Sequence, residues 1–202
     1  MKKHIIPASL VAMLFAACSG SGTHQKTIVV MASGQLTVTD KTIKLEPSFS
    51  HNEQTLNFTD DKLSLTLQNT DGPGKTFDLT ENGVYVLNLQ KDTLIGGLVN
   101  YGSTGIPGSI TAEKLDHIID STKLLMQGLN ASDAKRTYFI PPFSIKKVGA
   151  KSNTKIIGSF KGIPYSNEAD GSGSIPDVIK FSTNKEKRET LKDLEEEKTK
   201  IK

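Results

Sequence analysis

Apolar and polar residues alternate in short runs along most of this chain, and a period of two predicts half-buried β-strands. Leu63, Leu65 and Leu67 fall on one face, with Ser64 and Thr66 on the other. Comparable runs, rich in Thr, Val, Ile, Leu and Phe, cover 27–31, 35–39, 42–45, 55–58, 63–67, 76–79, 84–89 and 93–101. Ser33-Gly34, Thr39-Asp40, Asp60-Asp61 and Asp71-Gly72-Pro73-Gly74 supply turns between them. Asn82-Gly83 gives the strongest hairpin signal, because both residues tolerate the positive φ of a tight turn. Further strands are expected at 136–140, where Pro141-Pro142 stops the run, and at 143–148, 154–160 and 178–181. Strands so spaced and joined by turns predict a mainly β domain, a sandwich or a barrel-like antiparallel sheet.

The period changes to helical between 111 and 130. Leu115, Ile118, Ile119, Leu125, Met126 and Leu129 form an apolar stripe, Thr111 can cap its start, Glu113 suits the positive end of the dipole, and Gly128 or Asn130 can end it. This amphipathic helix is expected to pack over the sheet. Residues 183–202 form a charged tail with seven Lys or Arg, six Asp or Glu and only Leu191, Leu194 and Ile201 as large apolar residues. Lys192 with Glu196 and Glu196 with Lys200 lie four apart, which would support a helix by about 0.2–0.5 kcal/mol each. A solvated, fraying tail is the expectation, with a partner-docking helix as the alternative.

The first seventeen residues differ from all of this. Lys2 and Lys3 precede an apolar run from Ile5 to Phe15, too short to cross a bilayer core that takes about 20 residues at 1.5 Å each. Cys18, the only cysteine, follows directly after Ala16 and Ala17. This segment resembles the signal peptide and lipobox of bacterial lipoproteins, with Phe15 standing where leucine is usual. The resemblance implies diacylglycerol on the Cys18 thiol, cleavage before it and acylation of the new amine. Ordinary signal-peptidase cleavage at Ala17 and Ser19 is the alternative. Ser19, where an aspartate would imply retention at the inner membrane, implies the outer membrane. The absence of Asp and Glu between Ser19 and Thr39 favours its periplasmic side. The organisation expected is a signal peptide at 1–17, a flexible tether at 18–26, one β-rich domain at 27–182 and the tail at 183–202.

Removing the signal lowers the net charge from +3 to +1, which leaves no broad cationic field for nucleic acid. With a lone cysteine, no internal disulfide can form, so packing alone holds the fold.

Chemical motifs are sparse. Gly74-Lys75-Thr76 imitates the end of a phosphate loop but precedes a strand, where the motif needs a helix. The loop from Gly102 to Ser109 leads into the helix and is the best small-ligand candidate, with Gly102, Ser103 and Ser109 as its named residues; a plain connection is the alternative. No base neighbours either serine in sequence, and no nucleophile elbow frames them. Glu113, His117 and Asp120 share a helix face, an arrangement more often solvated than metal-binding, and neither a metal nor another cofactor is expected. His24 falls in the tether and His51 in a loop. Tyr85 reads as core, whereas Tyr101 and Tyr165 adjoin Gly- or Ser-rich loops and could be exposed for glycan contact. These patterns imply a membrane-anchored envelope lipoprotein with a binding or structural role, contacting the membrane through Cys18 and an envelope protein through its domain or tail. The alternatives are a hydrolase or ligand-binding protein using the 102–109 loop, or an assembly factor.

Overall fold

The computed structural model describes residues 25–69, 74–99, 101, 111–150, 154–164 and 175–201, and two long strands organise it. Strands β1 (Lys26–Thr39) and β2 (Thr42–Phe58) form a hairpin whose two-residue loop has Asp40 at φ 52°. The pairing is interrupted once: Ser33 faces His51, but Gly34 faces Pro47, leaving Ser48, Phe49 and Ser50 as extra residues on β2. The hairpin folds back on itself at this point. Its tip returns to the end where it began, where Lys41 Nζ lies 2.7 Å from Asp60 Oδ1 and Thr66 N–H donates to Lys41 O at 2.8 Å.

A turn is expected at Ser33-Gly34, and the chain does bend there, but β1 continues through it. Gly34 has φ +142°, and a Cβ on it would collide with the backbone carbonyl of Glu46. Only glycine lets the two strands cross so closely at a sharp bend.

Bending turns one sheet into two facing layers. The larger sheet runs β4 (Lys75–Leu79), β3 (Leu63–Asn69), β2, β1, β5 (Gly83–Leu89), β8 (Ser144–Gly149). β3 pairs with the first part of β2, whereas β5 pairs with the first part of β1. Ile28, Val30 and Ala32 therefore face Ile43 and Leu45 across one core, completed by Leu65, Leu87 and their neighbours. Lys75 Nζ reaches across to Phe143 O at 2.8 Å, bringing the two edge strands together into a nearly closed barrel.

A second sheet, β7 (Thr137–Ile140), β6 (Leu94–Leu98), β10 (Val178–Thr183), β9 (Lys155–Ile157), covers the other face of β1 and β5. Val29, Met31, Val84 and Val86 meet Leu94, Tyr138, Ile179 and Phe181 in a second core. β5 is buried at every position, and that explains the failure of the expected Asn82-Gly83 hairpin. A strand buried along its whole length belongs in the middle of a sheet with both faces covered. β5 accordingly lies between β1 and β8, while alternating β4 takes an edge beside β3. β1 with β5, β2 with β3 and β9 with β10 run parallel, and the other pairs are antiparallel.

Helix α1 (Ala112–Met126) starts at Thr111, whose side chain accepts from Lys114 N at 3.3 Å. Gly128 N–H to Leu125 O and Leu129 N–H to Leu124 O end it in the paired C-terminal bonds expected of a glycine cap. Leu115 and Ile119 are its buried residues. The charged tail does not fray: helix α2 (Asn184–Ile201) continues directly from β10 and packs along α1, with its described residues exposed or half-buried. Lys123 pairs with Glu195 at 2.7 Å, and Lys198 pairs with Asp116. Lys192 and Glu196 approach to 3.8 Å, but Lys200 pairs with Glu197 instead of Glu196. Inter-helix charges supply what isolated i,i+4 pairs could not.

The tether was expected to extend through Lys26, yet this residue is fully buried and opens β1. Its ammonium donates to Asp60 O at 2.6 Å, Asp61 O at 2.9 Å and Asn82 Oδ1 at 3.3 Å, closing that end of the barrel. The hydrogen bond from Lys41 holds the Asp60 carboxyl below the usual carboxylate range. A lowered folded-state pKa contributes stability that is present above about pH 4 and lost as pH falls through the lowered value. Asp60→Asn is expected to flatten the acid limb of a stability-versus-pH curve measured by urea unfolding. Gly34→Ala should cost at least about 2 kcal/mol in the same assay at neutral pH, through backbone strain and collision with Glu46.

Candidate functional site

The bend that builds the barrel also shapes a cleft on its outer wall. Met31, Asn52 and Glu53 come from β1 and β2, Gln90 from the end of β5, and Ser159, Phe160 and Lys161 from the segment after β9. The cleft has a volume of about 300 Å3. Its rim is aromatic: His51 and Phe160 stack with ring centroids 3.9 Å apart and planes at 29°. Phe160 is 54% exposed, and Phe49, two residues before His51 on the three-residue insertion in β2, is fully exposed.

Phe160 is held against its own preference. Its φ is +64°, a region that costs a bulky L-residue about 1–2 kcal/mol. Three side chains offset that strain. Lys180 Nζ donates to the carbonyls of Gly158 and Lys161, both at 2.6 Å, spanning the turn. Phe160 N–H donates to Glu186 Oε1 at 2.9 Å, and the His51 ring supports one face. Burial pushes the Lys180 ammonium below the usual lysine value, with Glu186 and Glu53 acting in the opposite direction.

Glu186 has two tasks at once. Its Oε2 accepts Thr183 N–H at 2.6 Å, while Glu186 N–H donates to Thr183 Oγ1 at 3.1 Å. This reciprocal arrangement is the capping box that starts α2. The helix start and the strained aromatic loop therefore share one carboxylate.

The polar wall is also fixed. Glu53 and Lys161 pair at 2.8 Å, and a Cβ on Gly158 would collide with the Glu53 carboxylate. Gln90 is buried, with Nε2 donating to Ser159 Oγ at 3.2 Å. The cleft thus offers an exposed π-face, one balanced ion pair, and amide and hydroxyl groups able both to donate and to accept.

A larger cleft, of about 540 Å3, lies beside β8 and β7. Its charges are matched: Arg136 with Asp177 at 2.5 Å, Lys146 with Asp133 at 3.1 Å and Lys147 with Glu81 at 2.5 Å. The hydrogen bond from Lys147 holds Glu81 below the usual carboxylate range, so it is charged at neutral pH and ill suited to act as a general acid. Tyr138 donates to Val148 O at 2.7 Å, and burial raises its phenol above the usual value. An ionic ligand would have to break an existing pair to bind here.

Cys18, Gly102, Ser103, Ser109, His24 and Tyr165 lie outside the described residues. Glu113, His117 and Asp120 are exposed on α1, and no cluster of three metal-ligating residues is assembled among the described residues. Tyr85 is core, as expected, and donates to Glu81 O at 2.7 Å. The Tyr101 hydroxyl, expected at the surface, is buried without a hydrogen-bond partner among the described residues. Lys75, in the imitation phosphate loop, begins β4.

His51, expected in a loop, lies in β2, and Phe160, expected to end a strand at 154–160, lies instead in the turn after β9, because the strand stops at Ile157. Two signals were available: a lone phenylalanine between Ser48 and Ser50, and the Thr183-x-x-Glu186 capping signature. No family model matches the chain, and neither a curated protein nor a solved structure is similar to it.

Glu186→Ala should remove the acceptor for both Thr183 and Phe160 amides. The expected loss is about 2 kcal/mol in denaturant unfolding, with faster hydrogen exchange at both amides.

Proposed function

We propose that this chain is a lipid-anchored envelope protein whose domain binds a partner or ligand and performs no catalysis. The observation that carries the reading is the strained, half-exposed Phe160, supported by Lys180, Glu186 and His51. Backbone strain clusters at ligand clamps among other sites; Phe143 has a similar φ of 53° but packs against the barrel core, whereas Phe160 keeps its ring half exposed. The placement of Cys18 after Ala16-Ala17 supports acylation there, and Ser19 supports the outer membrane, facing the periplasm.

The fold suits anchoring. β1 begins at Lys26, is paired on both sides, and is pinned by a buried ammonium, so tension from Cys18 would be borne by a central strand. Seven residues from Ser19 to Gln25 can reach at most about 25 Å, and Ser33, opposite His51, lies roughly 23 Å along β1 from Lys26. The aromatic cleft would therefore work within about 50 Å of the bilayer.

A second reading, an assembly factor docking through α1, draws on Leu124 and Leu129, which are 44% and 72% exposed.

In an envelope-bearing bacterial host, the full chain is expected in the membrane fraction with an acylated Cys18 N-terminus. Cys18→Ser should move it to the soluble fraction, as read by fractionation and intact mass. Membrane association unchanged by that substitution would count against the anchor.

A further inference from the structure

We infer that the cleft between β2 and the Phe160 loop binds a neutral saccharide, with the sugar's C–H face on Phe160 and its hydroxyls on the polar wall. This rests on the reading of the domain as a binding module and specifies its ligand. Three properties of the cleft select that chemistry.

The first is charge balance. Glu53 and Lys161 neutralise each other at 2.8 Å, so the carboxylate and the ammonium lining the cleft are already matched and neither is left over for a phosphate, a carboxylate or a cation. The second is the mixture of hydrogen-bonding groups. A sugar hydroxyl donates and accepts at once, and so do the Asn52 amide and the Ser159 hydroxyl, with Glu53 accepting and Lys161 donating beside them, while the buried Gln90 amide holds Ser159 in place. The third is the disposition of apolar surface. It is confined to the Phe160 and His51 rings, because Met31 is only 1% exposed, and that is too little for an acyl chain or the apolar face of a helix, yet suited to the weakly polarised C–H groups of one pyranose face. Phe160 rests on His51 on one side and is 54% exposed, so its ring is open to such stacking.

Size agrees with chemistry. A volume of about 300 Å3 lies at the lower end of small-ligand sites, which fits a short saccharide segment. The braced turn under Phe160 holds the ring before a ligand arrives, which reduces the ordering entropy that weakens surface sites.

The test uses the full-length protein in detergent against an array of neutral oligosaccharides, with the best one titrated by calorimetry. Saturable binding is expected, weakened about tenfold by Phe160→Ala and several-fold by Asn52→Ala. Asn52→Ala leaves the Phe160 braces intact, so it keeps the test decisive if Phe160→Ala unfolds. Absence of binding up to about 10 mM, or binding that neither substitution changes, would overturn the inference. Capture of an envelope protein through Phe49 and Phe160 with no saccharide binding would also overturn it while leaving the binding-module reading in place. Loss of both activities would remove both.

Discussion

The close crossing of β1 and β2 at Gly34 is the constraint on which the rest of this structure depends. A hairpin of this length would otherwise be an exposed two-stranded ribbon, which cannot bury enough apolar surface to be stable in water. Folding it back sets Ile28, Val30 and Ala32 against Ile43 and Leu45, so the hairpin supplies both walls of its own core. β3 and β4 then extend one wall, and β5 and β8 extend the other. The bend needs a backbone conformation open to glycine and a gap where no Cβ stands, and position 34 meets both conditions.

The same bend has a consequence for the surface. The outer strand of a sharp turn follows a longer path, and β2 supplies it with Ser48, Phe49 and Ser50. That displaces Phe49 into solvent and sets His51 at the shoulder, where the loop after β9 meets it. The loop is in turn tied to β10 by Lys180 and to α2 by Glu186. The aromatic rim is thus connected to the barrel, the second sheet and the C-terminal helix, and its rigidity comes from all three.

Buried polar groups fix the register of these layers. Asn88, fully buried, donates to the carbonyls of Ile140 and Asp92 at 2.9 Å each and joins β5 to the end of β7 and to the turn before β6. Lys26 does the equivalent at the opposite end through two backbone carbonyls and Asn82. Each satisfies acceptors that would cost about 1–3 kcal/mol if left buried and unpaired. Their arrangement therefore discriminates against slipped alternatives that hydrophobic pattern alone would tolerate.

Local chemistry made much of the fold legible in advance. Alternation at Leu63–Leu67 marks a strand with one face in the core, Thr111 and Gly128 bracket α1, and the composition fixes a chain held by packing without disulfides, because these properties depend on neighbours in sequence. Pairing partners could not be read in the same way. Asn82-Gly83 favours a hairpin locally, but the continuous burial of β5 sends it to β1, and that preference exists only once a second sheet covers its other face. The charged tail acquires its place from Asp116 and Lys123 on a helix about seventy residues earlier. The cleft is assembled from residues spread between 31 and 161, and Phe160 is exposed and strained only because Lys180, Glu186 and His51 converge on its turn. Sequence determined the elements and the cysteine that stands before them. Tertiary structure decided the layers and the site, since both arise from contacts between residues that the chain keeps far apart.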